Sequence, residues 1–521
     1  MTPLPGFGDD MAASLTQVEE AKSARQSQPA WLWAVLLGAA GLPRILLAFR
    51  LPNPDGDAYA YLETIERMRA SLVAGSFSAK TLFSFWLPIY QFICALISVF
   101  ANHPVYVSKL VSAVCGTGVC ALVFLITLRL TANRMISLTV ALLVALNPLH
   151  MLYSAFSLTE IPHALVVLGS LYAAITGRWT AAAICAAMAG FMRVESWMLI
   201  ALLPALELLA GRRVSIKLCG LLLIAPVLWL AICWAATGDC LAYFHERSRY
   251  VHDIVAAYPH LQTMSPARLW QNAYSLIHSA NPVVMLGCVV GTGLLIRHRL
   301  VSGLPGASQN SLAVVAVAVF FFAYLSFLVA AFLTGNQPDI WDRYGLIFFA
   351  GGLPLAAWTY LKITGGKPRL AVAMAAMVFV VCITETYSQV KDAGEIVRRT
   401  SPQLIIANKL QDLYQLDASL RILCDDRVVV RLSEIPPQRF ITSSDLPAEP
   451  AGILADLSKR EVNYIVYQKD DEGSPMSLFT ELQDGIQTEH FKLVAPAFTT
   501  DWHGRVYLYR FRKPGEQSEK W

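Results

Sequence analysis

Two aspartates are candidates for chemistry because they follow directly on the first long apolar segment of the chain. They belong to the stretch Asn53-Pro54-Asp55-Gly56-Asp57-Ala58-Tyr59-Ala60-Tyr61, and residues 31–49 before it are almost entirely apolar. Carboxylates where a helix leaves a membrane act as a catalytic base, as ligands of a divalent cation such as Mg²⁺ or Mn²⁺, or as both. The structural alternative is a solvated turn in which one aspartate caps the next helix. Because Tyr59 and Tyr61 accompany the acids, we favour the functional interpretation.

A third carboxylate, Glu160, lies in Ser157-Leu158-Thr159-Glu160-Ile161-Pro162-His163 at the start of another apolar segment. In the functional interpretation Glu160 is a second catalytic acid. The alternative is a capping box, because serine at the first position and glutamate three residues later is the pattern of a helix start. His163 is a candidate substrate-binding residue or proton carrier, and an interfacial position is its alternative.

Arginines at membrane depth supply the positive charge that such acids need. Arg193 lies with Glu195 in a break between two apolar segments, and Arg343 precedes Tyr344 close to Asp342. Buried charges are costly in a membrane, so they face a cavity or pair with one another. Arginine also binds phosphate through two parallel N–H donors. We therefore predict phosphate binding by Arg343 and Arg193, with simple ion pairing as the alternative for both.

The polar segment from residue 238 to 282 contains a further charged cluster at residues 243–253. If this cluster is helical, His245, Arg249 and His252 share one face. The segment is then either an amphipathic helix on lipid headgroups or part of a substrate site that includes Arg247 and Arg249. The sequence leaves both possibilities open.

The elements that position these residues are predicted to be membrane helices. The chain has 521 residues, of which 55% are hydrophobic and 15% are charged, against roughly 25% charged in a typical globular protein. Repeated apolar segments therefore predict a polytopic α-helical membrane protein. The net charge of +4 gives no indication of nucleic-acid binding, and no Cys/His spacing typical of a zinc site occurs.

Lysine and arginine concentrate in alternate loops, which predicts about eleven spanning helices with the N-terminus inside. In this topology residues 83–100 are an interfacial or re-entrant helix. The outer face receives the loop 50–104 with the acidic motif, the loop 238–282, and the chain after residue 386. Residues 1–30 are a cytoplasmic tail, and residues 31–386 form the transmembrane domain. The predicted spans are residues 31–49, 105–128, 136–152, 164–175, 179–189, 197–209, 218–236, 283–296, 312–333, 346–361 and 371–383.

Residues 387–521 have the pattern of a small α/β domain on the outer face. Residues 404–416 and 453–461 are predicted helices, and residues 421–424, 428–432, 464–467, 491–495 and 506–511 are predicted strands. No G-x-G-x-x-G or Walker-type loop follows a predicted strand.

In motifs and architecture the chain resembles the GT-C membrane glycosyltransferases, which include oligosaccharyltransferases, protein O-mannosyltransferases and lipid A aminoarabinose transferases. Asp57-Ala58-Tyr59-Ala60-Tyr61 resembles the acid-plus-aromatic signature after their first helix. Phe85-Trp86-Leu87-Pro88-Ile89-Tyr90 resembles the Pro-Tyr segment of their first outer loop, and Arg343-Tyr344 resembles the Arg-Tyr start of a late helix.

This resemblance implies transfer of a sugar from a polyprenyl-phosphate donor to a hydroxyl of a lipid, glycan or protein, with inversion at the anomeric carbon. The topology, not the resemblance, predicts that the acidic motif faces the periplasm or its equivalent. Because no retention signal is visible, a bacterial inner membrane is the expected location, with the endoplasmic reticulum as the alternative. Asp57 is the expected base, Asp55 its partner or a metal ligand, and Glu160 an assisting acid. The phosphate is expected at Arg343, Arg193 and Tyr344. The expected substrate contacts are Tyr59, Tyr61 and His163; Arg247 and Arg249 are added from the polar segment 238–282 and not from the resemblance.

Three other functions fit parts of the pattern. An O-antigen ligase or polymerase relies on arginine and histidine in a large outer loop, which residues 245–252 resemble. A transporter places ionisable groups within its helices and often contains internal repeats. A non-enzymatic scaffold would use the outer domain for binding.

Overall fold

The computed structural model describes residues 29–512, except residues 55, 258–260, 262, 303–308, 336, 338, 366–367, 399, 448, 469–474, 484 and 498–505. The predicted cytoplasmic tail lies almost entirely outside the described residues, and so does Asp55. Everything below concerns the described part of the chain.

Helices dominate the first 400 residues, which we call the membrane domain. They are α1 (Ala30–Arg50), α2 (Gly56–Val73), α3 (Ala79–Leu82), α4 (Ile89–Ala101), α5 (Pro104–Thr131), α6 (Arg134–Ala145), α7 (Pro148–Tyr153), α8 (Glu160–Ile175), α9 (Trp179–Gly190), α10 (Leu199–Leu209), α11 (Ile216–Thr237), α12 (Ala242–Ala257), α13 (Pro266–Ala280), α14 (Pro282–Ser302), α15 (Gln309–Leu333), α16 (Asp342–Thr364) and α17 (Pro368–Arg398). A 3₁₀ turn, Val194–Met198, separates α9 from α10.

Five of the described helices are long and apolar enough to cross a membrane, which supports the predicted class of polytopic membrane protein. They are α1, α5, α11, α15 (as residues 312–333) and α16. The pair α13 and α14, bent by 87° at residue 281, makes a sixth if it counts as one span. Four shorter apolar helices, α4, α6, α8 and α9, accompany them. Helix length and composition alone identify fewer spans among the described residues than the eleven or so predicted from the sequence.

The segment 83–100, predicted to be interfacial, forms a turn followed by α4. This helix has 13 residues, and at about 1.5 Å per residue it is too short to cross a bilayer. Leu96, Ile97 and Phe100 are exposed on one side, whereas Tyr90 and Cys94 are buried on the other. The helix is therefore amphipathic and packs its inner face on α2 and α5.

Helix α16 lies at the centre of the membrane domain and contacts α5, α8, α13, α14 and α15. Its glycines allow close approach of the neighbouring helices. A Cβ at Gly345 would lie 2.9 Å from the backbone nitrogen of Ala280, and a Cβ at Gly352 would lie 2.8 Å from Val284 Cγ1. The first turn of α16 is therefore seated tightly on the end of α13.

Arg44 of α1 stabilises the break between α6 and α7. Its Nη1 donates to the Ala145 carbonyl oxygen at 2.9 Å, and its Nη2 donates to that of Val144 at 3.3 Å. Its Nη2 also lies 2.9 Å from His150 Nδ1. The last carbonyls of a helix lack intrahelical partners, and Arg44 supplies donors to them inside the helical core.

The remaining chain forms an α/β domain, as predicted, and we keep for it the name outer domain from the topology prediction. Its elements are α18 (Ser401–Leu416), β1 (Ile422–Leu423), α19 (Arg427–Leu432), β2 (Phe440–Ile441), α20 (Pro450–Lys459), β3 (Tyr464–Gln468), α21 (Thr480–Gln483), β4 (Phe491–Ala497) and β5 (Val506–Phe511). The sheet order is β2-β1-β3-β5-β4. Strand β1 pairs in parallel with β2 and β3, whereas β5 pairs antiparallel with β3 and β4.

Two details of this domain differ from the sequence-based prediction. Residues 428–432, predicted as a strand from their valines, lie in helix α19. The cause is Asp426, whose carboxylate accepts the backbone N–H groups of Val428 and Val429 as an N-cap; this local cap overrides β propensity. The predicted boundary at residue 387 falls inside α17, which continues to Arg398.

The outer domain packs against the helix that begins beside the acidic motif. Arg431 of α19 donates from Nη1 to Glu66 Oε2 of α2 at 2.9 Å and from Nη2 to the other carboxylate oxygen. Val428 is buried in the same hydrophobic cluster as Leu62 and Ile65. The two domains are thus joined by both apolar and charged contacts.

Candidate active site

Asp57 lies in the first turn of α2, next to the first turn of α16. Its Oδ2 accepts a hydrogen bond from Arg343 Nη2 at 2.6 Å. The Arg343 side chain is only 7% exposed and that of Asp57 26%. The two residues are 286 positions apart in sequence. The ion pair therefore exists only because α2 and α16 meet in the fold.

Glu160 joins Asp57 through the same arginine. Its Oε1 lies 3.3 Å from Arg343 Nε and 3.3 Å from Arg193 Nη1. Its other oxygen, Oε2, is buried and has no hydrogen-bond partner among the described residues. A buried, incompletely bonded carboxylate is costly unless a ligand or proton completes it. This arrangement favours a functional role for Glu160.

The capping-box alternative for Glu160 is not formed as expected. Ser157, the predicted cap, uses its backbone N–H and hydroxyl to contact Asn53 at 3.0 and 3.2 Å. Its hydroxyl also lies 2.7 Å from the hydroxyl of Ser108. Thr159 contacts the hydroxyl of Tyr61 at 3.0 Å. The loop before α8 is thereby tied to the loop that carries the acidic motif.

Arg193 and Glu195 lie in the break between α9 and α10. Arg193 Nη2 donates to Glu195 Oε1 at 2.9 Å. Burial alone would raise the pKa of Glu195, but the attraction of Arg193 outweighs it and lowers that pKa to about 2. Arg193 also lies over the ring of Tyr344, 5.1 Å from its centroid. Glu195 is consequently a permanent anion at physiological pH.

A cleft opens over these charges. Aromatic rings form much of its wall. Phe85 and Trp86 come from the first outer loop, Tyr243 and Tyr250 from α12, and Trp341 and Tyr344 from the start of α16. The ring of Phe85 lies 4.6 Å from that of Tyr250 between centroids. Flat apolar rings beside charged groups form a surface suited to a sugar phosphate.

Among the described residues, the cleft is lined by three arginines, at positions 193, 247 and 343, and three carboxylates, at positions 57, 160 and 195. Arg343 and Arg193 contact these carboxylates directly. Arg247 instead lies 3.4 Å from the hydroxyl of Tyr243 and 3.3 Å from Gln337 Oε1, which are both neutral. Arg247 is therefore the cleft arginine whose hydrogen bonds go to neutral groups, while the carboxylate of Glu195 attracts it without direct contact.

A second, more apolar cavity shares these charges with the cleft and lies between α15 and α16. Phe327, Leu328 and Ile347 line it together with Glu160. His163 also lines it, and its Nε2 lies 2.6 Å from Ser196 Oγ, which in turn lies 2.8 Å from the hydroxyl of Tyr324. The charged cluster thus borders both a polar, aromatic cleft and an apolar cavity.

Most of the residues predicted from the sequence meet here: Asp57, Tyr61, Glu160, His163, Arg193, Arg247, Arg343 and Tyr344 all line one or both cavities. Tyr59 does not line the cleft, because it lies about 200° around α2 from Asp57 and is buried in the core. Arg249 is exposed on α12, again two residues from the position that faces the cleft. Asp55 lies outside the described residues.

Sequence reasoning did not select several residues of the cleft wall as site residues, notably Trp341, Tyr243 and Gln337. The i to i+4 spacing of Tyr243 and Arg247 would have predicted that they share a helix face. The ring of Trp341 stacks on the guanidinium of Arg343, whose Cζ lies 4.4 Å from the ring centroid. The sequence signal that could have identified Trp341 is its position two residues before Arg343, which was predicted to bind phosphate.

The divalent cation expected at Asp55 and Asp57 stays a prediction, because Asp55 lies outside the described residues. Arg343 contacts Asp57 and Glu160. In the described part of the chain, no group of three or more His, Cys, Asp or Glu side chains is placed to hold a metal ion.

Comparison with known proteins agrees with this architecture. No family model matches the sequence, and no curated protein sequence matches it. Among solved structures, the chain is similar to ArnT from Cupriavidus metallidurans bound to undecaprenyl phosphate, with 12% identity, coverage of 91% of this chain and 98% of that chain, and a TM-score of 0.53. It is also similar to the archaeal oligosaccharyltransferase AglB from Archaeoglobus fulgidus in complex with an inhibitory peptide and a dolichol-phosphate. That match has 12% identity, covers 93% of this chain and 74% of that chain, and has a TM-score of 0.50.

The chain has the GT-C fold. The resemblance predicted from three short motifs is confirmed at the level of fold. Within the GT-C fold of this chain, the first outer loop, the start of α8, the break before α10 and the start of α16 converge on one charged cluster.

Proposed function

We propose that this protein is an integral membrane glycosyltransferase that takes its sugar from a polyprenyl-phosphate donor. The observation that carries the proposal is the cluster of Asp57, Glu160, Arg193 and Arg343, which borders both a polar cleft and an apolar cavity. Two similar structures of the same fold hold dolichol-phosphate or undecaprenyl phosphate. The Lys and Arg pattern of the loops supports a periplasmic cleft, and we propose a bacterial inner membrane as the location.

In the proposed reaction, the acceptor hydroxyl enters the cleft beside Asp57. The carboxylate takes the hydroxyl proton while the acceptor oxygen attacks the anomeric carbon of the sugar. The bond between that carbon and the phosphate oxygen breaks, and polyprenyl phosphate leaves with the electron pair. A single displacement of this kind inverts the anomeric configuration.

The arginines have separate tasks in this proposal. Arg343 holds Asp57 and Glu160 in place, because its guanidinium contacts both carboxylates. Arg247 binds the donor phosphate, since its hydrogen bonds are to neutral groups of Tyr243 and Gln337. Arg193, fixed by Glu195 and Glu160, adds positive charge beside the leaving phosphate. The apolar cavity at Phe327, Leu328 and Ile347 receives the first isoprene units.

The experiment is a transfer assay with the purified protein in lipid nanodiscs, preceded by profiling of lipid-linked sugars in cells that lack it. An accumulating polyprenyl-phosphate sugar identifies the donor. We expect Asp57→Asn to reduce transfer by about 10²–10⁴-fold, the usual contribution of general base catalysis. Expression and thermal stability should be retained. Asp412→Asn, an exposed substitution in the outer domain, is the matched control.

An Asp57→Asn variant with full activity would contradict the proposal. The same assay tests the O-antigen ligase alternative, which requires Arg249 and His252. Both residues are exposed on α12, away from the cleft wall. If their substitution abolishes activity while Asp57→Asn does not, that alternative replaces our proposal. A transporter would move a lipid-linked substrate without forming any glycosidic bond.

A further inference from the structure

Helix α13 is the platform for the segment that leads to Arg343. Asn272 donates from Nδ2 to Asp339 Oδ1 at 3.0 Å, and its Oδ1 accepts the backbone N–H of Ile340. One turn later Ser275 Oγ donates to Asp342 Oδ1 at 2.8 Å. The position of the start of α16 therefore depends on the position of α13.

His278, in the last turn of α13, holds this platform to α17. Its Nδ1 lies 2.7 Å from Glu385 Oε2, and its Nε2 lies 2.7 Å from Asp392 Oδ2. The His278 side chain is only 6% exposed. The ring of Tyr274 stacks on it with an interplanar angle of 4°. Gln389 of α17 donates to the His278 carbonyl oxygen at 3.2 Å.

The chemistry of this contact requires a protonated ring. Neutral imidazole carries one N–H, so it can donate to only one of two carboxylates, whereas imidazolium donates to both. Loss of the proton would leave a ring nitrogen lone pair facing a carboxylate at 2.7 Å. The charged groups that face His278 are Glu385 and Asp392. On the exposed side of α17, Lys391 pairs with Glu395, and the α7 side contributes Asn147, which donates to Gln389.

We propose that His278 is a positioning residue whose imidazolium form clamps α13 to α17 and thereby keeps Arg343 seated against Asp57 and Glu160. The inference rests on the proposed function for its effect on catalysis. The clamp is complete while His278 is protonated and weakens as the pH rises through the point at which it loses its proton. Transfer activity should therefore fall on the alkaline side for a reason that lies outside the reacting groups.

The test compares His278→Gln with His278→Arg over a range of pH. Glutamine cannot donate a charged hydrogen bond to both carboxylates, so we expect kcat to fall about tenfold at neutral pH with little change in KM. Arginine carries two outer nitrogens and stays protonated. His278→Arg should keep more than half of the wild-type kcat and lose the alkaline decrease. His103→Gln, which changes an exposed histidine before α5, is the matched control.

A second measurement separates this inference from the proposed function. The melting temperature of the purified protein should decrease with rising pH in the wild type and should not show this decrease in His278→Arg. Asp392→Asn, which removes one acceptor charge, should move the midpoint of the wild-type decrease downward by about one pH unit. If both His278 variants keep the wild-type pH dependence, the clamp is overturned even where transfer is observed. If the melting profiles change as expected but no donor is found, only the proposed function fails.

Discussion

Arg44 and Arg343 are both buried in a domain of apolar helices, at 0% and 7% exposure, yet their surroundings differ. Arg44 donates to the carbonyl oxygens of Val144 and Ala145 and lies beside His150. Its space is closed, since a Cβ at Gly116 would lie 3.0 Å from Arg44 Nε. Arg343 contacts two carboxylates that come from different helices, and it lines two cavities.

The difference shows that a buried charge is not by itself a sign of function. At Arg44 the charge satisfies the end of an interrupted helix, which is a structural need. At Arg343 opposite charges from α2, α8 and α16 converge on open space, and one carboxylate oxygen of Glu160 lacks a hydrogen-bond partner in the described structure. Convergence of opposite charges on a cavity is the more specific sign of a site, because buried atoms without a hydrogen-bond partner in the described structure also occur at Arg44 Nε and His150 Nε2.

Among the variants that test this comparison, we expect the largest effect from Arg343→Lys. A single ammonium keeps the charge but cannot contact both carboxylates as the guanidinium does. We expect kcat to decrease by about 10²–10³-fold while the melting temperature stays near that of the wild type. A matched Arg44→Lys variant should retain most of its activity per folded molecule. Equal losses of activity in the two variants would remove the distinction drawn here.

The next effect concerns stability at the other arginine. Arg44→Met leaves the carbonyls of Val144 and Ala145 without their donors inside the helical core, which should reduce the free energy of unfolding by about 2–4 kcal/mol. Thermal denaturation in nanodiscs measures the change. Folded Arg44→Met should bind polyprenyl phosphate like the wild type. Weakened lipid binding without loss of stability would mean that Arg44 belongs to the site.

A smaller effect is expected at Arg247, which faces the cleft but contacts neutral groups. Arg247→Gln should raise the KM for the donor by about tenfold, since one charge-assisted hydrogen bond to phosphate is lost. The kcat should change less. Arg249→Gln, two residues away and exposed, is the control because its side chain faces away from the cleft. A larger effect at Arg249 than at Arg247 would mean that the face of α12 has been assigned wrongly.

The smallest effect is expected where the outer domain meets α2. Arg431 and Glu66 form a two-point ion pair that is 40% and 33% exposed, and such pairs contribute roughly 0.2–1 kcal/mol. Arg431→Ala should therefore lower the melting temperature by no more than a few degrees and leave kcat nearly unchanged. A charge exchange, Arg431→Glu with Glu66→Arg, should restore the lost stability. A strong loss of kcat in Arg431→Ala would show instead that the outer domain positions Asp57.

Much of the candidate site could be found in the sequence because each residue was locally conspicuous. Asp57, Glu160 and Arg343 are charged residues at the edges of apolar segments, where burial makes a charge costly. Tyr59 was predicted to bind substrate because it accompanies Asp57, and Arg249 because it lies in the charged cluster at residues 243–253. The direction of each side chain depends on where its helix begins and how the helix is rotated. The strand predicted at residues 428–432 was wrong because a single N-cap decided the local structure.

By itself, the sequence determined that this is a helical membrane protein with an α/β domain at its end, since hydropathy and periodicity are properties of neighbouring residues. It also determined which charged residues must be accommodated. Only the tertiary structure decided their partners. Asp57 and Arg343 lie 286 residues apart. Neither local sequence predicts that Arg343 bonds to Asp57 rather than to the adjacent Asp342. Helix packing makes that choice, because the partner of a buried charge is set by which helix ends meet in space.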